Sequence, residues 1–310
     1  MADRASVSLM VHDAHAGMMR TAAIASLVVS ILLVTIKTIA FFASHSVSVL
    51  AALADSALDL FTAGINLVAI RSALTPADEE HRFGHGKAEP LAGLAQGAFI
   101  AASALFLVIQ AAERFLAPQP VTDGRLALGV MLVSIVAALG LVIYERRVVA
   151  ATGSVALGAD QVHYTTDLIT NAGVVVALVL SVWFGWESAD PLIALVVAAY
   201  MVFSAWGVFQ SSFDQLMDKE LGEDSRTRIR AIVMQNAAVR SMHDLRTRAA
   251  GVHSFIQLHI ELDPAISLMG AHEVSDAVEH QLMDAFPNAE VIIHQDPAGV
   301  ETPPELERVV

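Results

Sequence analysis

From Thr21 to Phe213 the apolar residues fall into six long blocks, and from Asp214 onward the pattern changes to short runs. A helix that crosses a bilayer needs about 20 mostly apolar residues. The blocks at roughly 20–43, 47–71, 90–113, 126–145, 155–184 and 190–213 meet that length, so a six-helix membrane bundle is expected over 20–213. The connections Ser44–Ser46 and Gly185–Ala189 are so short that the helices they join must form antiparallel hairpins. Residues 1–19 are polar until about Met18 and show no small-residue cleavage site, so they read as a retained cytoplasmic segment and not a removed signal peptide. Gly93 and Gly97 form a small-xxx-small pair on the third helix, suited to a close crossing, including one between two copies of the chain.

Beyond Asp218 the elements shorten. Asp224 or Ser225 is placed to cap a helix reaching about Ala237, with Ile229, Ile232 and Val233 on its apolar face. The segments 243–249 and 253–263 alternate around Ala250-Gly251, which reads as strand–turn–strand. An amphipathic helix at 270–286 and a third strand at 290–295 complete an αββαβ order. The fold class is therefore an α-helical membrane protein, a six-transmembrane-helix bundle, with a small C-terminal cytoplasmic α+β domain of metallochaperone-like type at 214–298. A flexible tail is expected at 299–310.

Composition agrees: 55% of the 310 residues are hydrophobic and 16% charged, and mean hydropathy is +0.59. A soluble domain carries about a quarter charged residues. The net charge of −14, with no Lys/Arg stripe, excludes a nucleic-acid partner. From Asp214 to the end, 8 Lys and Arg face 17 Asp and Glu. Such an acidic surface suits cations, and equally suits mere solubility. There are no cysteines, so any metal must be held by His, Asp and Glu.

Positive charge sets the orientation. With both termini in the cytoplasm, the inner segments before Asp214 carry Arg4, Arg20, Arg71, Arg82, Lys87, Arg146 and Arg147, whereas the outer side carries only Arg114 and Arg125. The expected setting is a cell's inner (plasma) membrane. Trp183 and Trp186 stand where an outer aromatic belt belongs, and Lys37 is expected to snorkel to the outer interface.

Four polar residues inside the spans carry the functional signal. Asp55 and Asp59 lie in the second span, His163 and Asp167 in the fifth, each pair spaced i, i+4 on one helical face. An intramembrane carboxylate costs about 2.5–3.5 kcal/mol on the insertion scale, so three of them beside an imidazole need a compensating role. Facing each other, the pairs would offer three carboxylates and an imidazole, a donor set that suits zinc. The imidazole favours zinc, cadmium or ferrous iron over manganese. Hydrogen bonding within the bundle, or a proton path without metal, is the plainer alternative. Metal and protons would compete for the same ligands, with His163 the natural exchanger.

The second-to-third connection holds Asp78, His81 and His85 at spacings that can converge on a second cation. Its Gly84-His85-Gly86-Lys87 lacks the spacing and trailing Ser/Thr of a phosphate loop. In the C-terminal domain, Ile256, Leu258, Ile260 and Leu262 alternate with Gln257, His259 and Glu261. His294 and Asp296 share one face of the third strand, His243 begins the first strand, and His272 starts the second helix. Together these five residues could hold one or two zinc ions.

Four stretches, in order, resemble the cation diffusion facilitator family: Ser46 through Asp59, Asp78 to Glu89, Ala159-Asp160 through Asp167, and His294-Gln295-Asp296-Pro297. The resemblance runs over nearly the whole chain, to about Asp296. It implies a homodimer in the lipid bilayer that exchanges divalent metal for protons, with one pathway per protomer. Asp55, Asp59, His163 and Asp167 match the family's transport site, and Asp78, His81 and His85 its loop site. His243, His259, His272, His294 and Asp296 match its cytoplasmic binuclear site, with Asp296 as a bridge. Lys87 and Asp218 occupy positions that in the family form a charge interlock between protomers.

The expected function is proton-coupled export of divalent transition metal, zinc first, with cadmium, iron(II) or manganese(II) as other cargo. A membrane sensor or scaffold that binds zinc without moving it is the alternative. An enzyme finds no support: His272-Glu273 lacks the second histidine of a zinc-protease motif, since position 276 is Asp. His12, His15, His45, His253 and His280, and the scattered methionines, are read as surface or packing residues.

Overall fold

The computed structural model describes residues 2–45, 47–116, 125–186 and 188–300. It divides into two compact units, one of Ala16–Phe213 and one of Asp214–Val310 together with Met1–His15.

The first unit is helical: α1 (Ala2–Ser44), α2 (Val47–Ala73), α3 (Ala88–Leu116), α4 (Arg125–Thr152), α5 (Val155–Phe184) and α6 (Ala189–Leu216). All six contain stretches long and apolar enough to span a membrane. Their outward positions, among them Phe61, Val68, Phe106, Val136, Val196 and Phe203, are exposed and apolar, as contact with lipid requires. The α1 helix starts at Ala2, so the polar N-terminal segment continues the first span as one helix. Likewise α4 runs to Thr152, one to two turns beyond its expected end, and carries Arg146 and Arg147 on exposed positions.

Helix α5 holds the bundle together, packing on α2, α3 and α4. Its start is fixed by Ser154, the N-cap, whose hydroxyl accepts from the Leu157 N–H. Gly153 before it and Gly185 at the far end take the left-handed backbone (φ +71° and +66°) that closes α4 and α5. Gly93 and Gly97 are where α3 meets α6. A Cβ on Gly93 would collide with Ser212, and one on Gly97 would touch Val208. The small-residue pair thus serves a crossing inside the protomer.

The second unit carries α7 (Glu223–Val233), β1 (Ser241–Ala250), β2 (His253–Leu262), α8 (Leu268–Ala285) and β3 (Ala289–Pro297). The sheet order is β1-β2-β3, antiparallel between β1 and β2 and parallel between β2 and β3, with α8 as the crossover. Ile256, Leu258, Ile260 and Leu262 are buried against Ile229 and Val233 of α7 and Val278 and Leu282 of α8. Gly222, not Asp224 or Ser225, is the N-cap of α7. The acidic residues there lie in the first turn, where Glu223 pairs with Arg226 at 3.0 Å. The expected tail at 299–310 lies outside the described residues from 301 onward.

Candidate metal sites

The four residues expected at a transport site sit on α2 and α5, which pack against each other. His163 is buried, and its Nε2 lies 3.1 Å from Asp59 Oδ1 and 3.6 Å from Asp167 Oδ2. One ligand atom from each of Asp59, His163 and Asp167 lies within 4.8 Å of the others, a spacing one small cation can bridge. Only the Nε2 edge of the ring faces both acids, so either a proton on that nitrogen or a dication can satisfy them. Asp55 is one turn earlier on α2 and is not part of this trio. Lys37 does not snorkel outward: it is buried, and its Nζ donates to Ser56 Oγ at 2.6 Å, next to Asp55. Reaching across from α1, the Lys37 cation offsets part of the charge of the acids on α2.

The ring of Tyr164, next to His163, is anchored by α1: its hydroxyl lies 2.7 Å from Ser30 Oγ and 3.3 Å from Ser26 Oγ. Thr166 returns its hydroxyl to the His163 carbonyl at 2.7 Å. These bonds fix the helical turn that presents the imidazole.

In the loop, Asp78 Oδ1 accepts backbone N–H bonds from His81 (2.6 Å) and Glu80 (3.0 Å), folding the chain back on itself. His81 Nδ1 is then 3.3 Å and His85 Nε2 3.4 Å from the Asp78 carboxylate. The backbone bond from His81 holds the Asp78 carboxyl below its ordinary range. The three expected loop residues therefore converge.

In the sheet, His243 pairs in register with His259, and His259 with His294, so the three strands set the imidazoles in one row. Asp296 reaches all three: 3.2 Å to His243, 2.9 Å to His259 and 3.3 Å to His294. Burial alone would raise the Asp296 pKa. The His259 hydrogen bond and the neighbouring imidazoles outweigh it and lower it. His243, His259 and Asp296 form a ligand cluster, a donor set that fits zinc. His272 does not join it: it is exposed on α8 and pairs with Asp276 at 3.5 Å. Asp218 engages Arg248 at 3.3 Å within the chain.

Sequence reasoning missed two groups. Asp244 follows a strand irregularity, with φ +47°, and stands 3.8 Å from His259 Nε2 beside an open cleft of about 350 Å³. Its place depends on that bulge, which period-two alternation does not reveal. Glu89, Gln96, Glu145 and Asp160 are buried polar residues of the bundle. Glu145, an acid at the end of an apolar run, was the available signal.

A model of the cation efflux transmembrane domain matches residues 23–217, and one of the cation efflux protein's cytoplasmic domain matches 221–298. The chain belongs to the cation efflux, or cation diffusion facilitator, family. Among its relatives, the cation-efflux pump FieF of Shewanella oneidensis is 48% identical, with 89% of this chain and 93% of that protein covered. The FieF of Serratia proteamaculans is 42% identical, over 92% of this chain and 95% of its own. The metal-bound C-terminal domain of the CzcD transporter from Thermotoga maritima is 29% identical over 25% of this chain, with a TM-score of 0.24.

Proposed function

We propose that the protein exports divalent transition-metal cations from the cytoplasm, zinc first, in exchange for protons. The observation that carries this reading is the trio of Asp59, His163 and Asp167, gathered across two helices inside a membrane bundle. The relatives' name, cation-efflux pump, supports the direction. The distribution of Arg and Lys supports cytoplasmic termini, and with them an inner-membrane setting.

Exchange follows from the ligands. With the site empty of metal, the two carboxylates require a proton on His163 Nε2 between them. A dication that takes its place releases that proton, because the imidazole binds metal only when neutral. Asp55, one turn away, adds negative charge on the path to the trio. Alternation of the bundle between two openings turns this competition into antiport. Asp78, His81 and His85 would gather cations from solution before entry.

The C-terminal unit would hold zinc through His243, His259 and Asp296 and join two protomers, and Lys87 and Asp218 would each contribute a charge to the interlock between protomers. Such metal shifts the transport equilibrium only by binding one arrangement better than another. The test is metal flux in proteoliposomes for zinc, cadmium, ferrous iron and manganese under imposed pH gradients. Zinc flux that follows the gradient, and vanishes in Asp167→Ala, supports the reading. Zinc binding without flux would make the protein a sensor.

A further inference from the structure

One turn before His163 on α5, Asp160 is fully buried, and the Glu145 carboxyl from α4 meets it within hydrogen-bonding reach. Asp160 also accepts from Gln96 Nε2 of α3 at 3.0 Å, through its Oδ1. The other Asp160 oxygen and both Glu145 oxygens have no donor. Among the described residues, no Lys or Arg forms an ion pair with either acid, and Arg146 and Arg147 beside Glu145 point outward as exposed residues. The other titratable neighbours are on α5 itself: His163 and Tyr164, both within electrostatic reach of Asp160. Tyr164 is engaged by Ser26 and Ser30.

Two carboxylates cannot both be ionised in contact, both fully buried, with one amide donor between them. A hydroxyl is the one donor the arrangement lacks, and a carboxylic acid supplies it. We propose that Glu145 and Asp160 hold one proton between them, as a proton site of the bundle separate from the metal ligands. The pair then carries one negative charge in place of two. It lies between the Gly153–Ser154 turn and His163, so it sets a constant field on the transport site. The proposal does not require that the protein move metal.

Infrared difference spectroscopy on the purified full chain tests it. Glu145→Gln keeps the side chain's shape and replaces the shared hydroxyl with an amide donor. At neutral pH this variant should lose one protonated-carboxyl C=O stretch that the parent protein shows. The substitution should also be silent in charge, because a neutral Gln replaces a neutral acid. Zinc binding at the site abolished by Asp167→Ala should therefore stay within about twofold of the parent. Asp160→Asn gives the second variant, with the same expected loss of the band. An unchanged band in both variants overturns the proposal. So does zinc binding weakened about tenfold by Glu145→Gln, the effect of removing a full nearby charge. A parent band that emerges only on adding chelator also overturns it, since a cation would then occupy the pair.

Discussion

His163 and Asp59 are 104 positions apart in the chain, and their Nε2 and Oδ1 atoms lie 3.1 Å apart. No local contact accounts for that approach. It depends on α2 and α5 packing face to face, and it divides the four expected transport ligands into an inner three and an outlying Asp55. Asp59→Asn and His163→Ala should therefore abolish zinc flux in proteoliposomes. Asp55→Asn should retain flux with affinity reduced about 10- to 100-fold, as for a group that supports ligands without being one. Equal loss in all three variants would place Asp55 among the ligands.

Glu89 opens α3 and ends its reach at the start of α5, accepting a bond from the Ser154 hydroxyl and facing the Ala156 N–H at 3.5 Å. An acid at a helix N-terminus both satisfies orphan N–H groups and suits the helix dipole. Glu89→Ala should destabilise the protein by about 1–3 kcal/mol, since buried donors lose their acceptor. Thermal unfolding in detergent would register it as a lower midpoint. Zinc affinity measured well below that midpoint should hardly change.

The glycine pair on α3 gives a sharp contrast. Gly93→Val places new atoms against Ser212 and Val155, whereas Gly97→Ala meets Val208 at an ordinary 3.5 Å. Overpacking of the first kind costs about 1–3 kcal/mol. Gly93→Val should lower thermal stability, Gly97→Ala should not, and neither should alter the oligomeric state on gel filtration. Dissociation by either variant would return the pair to an interface between copies.

In the C-terminal unit, His259→Ala should cut zinc uptake by the purified chain, while His272→Ala should leave it within about twofold. The reason is that His272 sits outside the His243, His259 and Asp296 cluster. Equilibrium dialysis in an Asp167→Ala background separates this site from the transport site.

The lowered Asp296 pKa gives that residue a signed pH dependence. A carboxyl whose pKa falls on folding contributes stability above its unfolded value, 3.8, and loses it as pH drops through the folded value. Metal-free protein should therefore keep the Asp296 contribution through the neutral range and shed it only in acid. Asp296→Asn should narrow the stability difference between about pH 6 and pH 3, followed by circular dichroism. An unchanged acid limb would show that the contacts to the histidines contribute nothing.

Much of this architecture was legible in the sequence because lipid and sheet each impose a period. Six spans followed from apolar length, and the buried face of β2 from alternate residues. The trio on α2 and α5 was legible too, since i, i+4 acids inside apolar helices have few other uses. What escaped was set by packing between elements. Lys37 could have turned outward or inward, and only the nearness of Ser56 decides it. At Gly222 the helix starts with no side-chain cap, and the nearest acid, Glu223, already lies in the first turn and pairs with Arg226, which a composition rule for the N-cap does not foresee. Glu145 was invisible as half of a pair, because its partner comes from the next helix, across a turn whose geometry Gly153 and Ser154 set.

The imidazoles of β1, β2 and β3 fall in one row only in the observed strand alignment. Slip either edge strand by a single residue and its ligands swing to the opposite side of the sheet. A cation held by His243, His259 and Asp296 would thus inspect the folding of the whole unit at once: mispaired chains would be blind to it, and supply of the ion would select the correctly threaded ones.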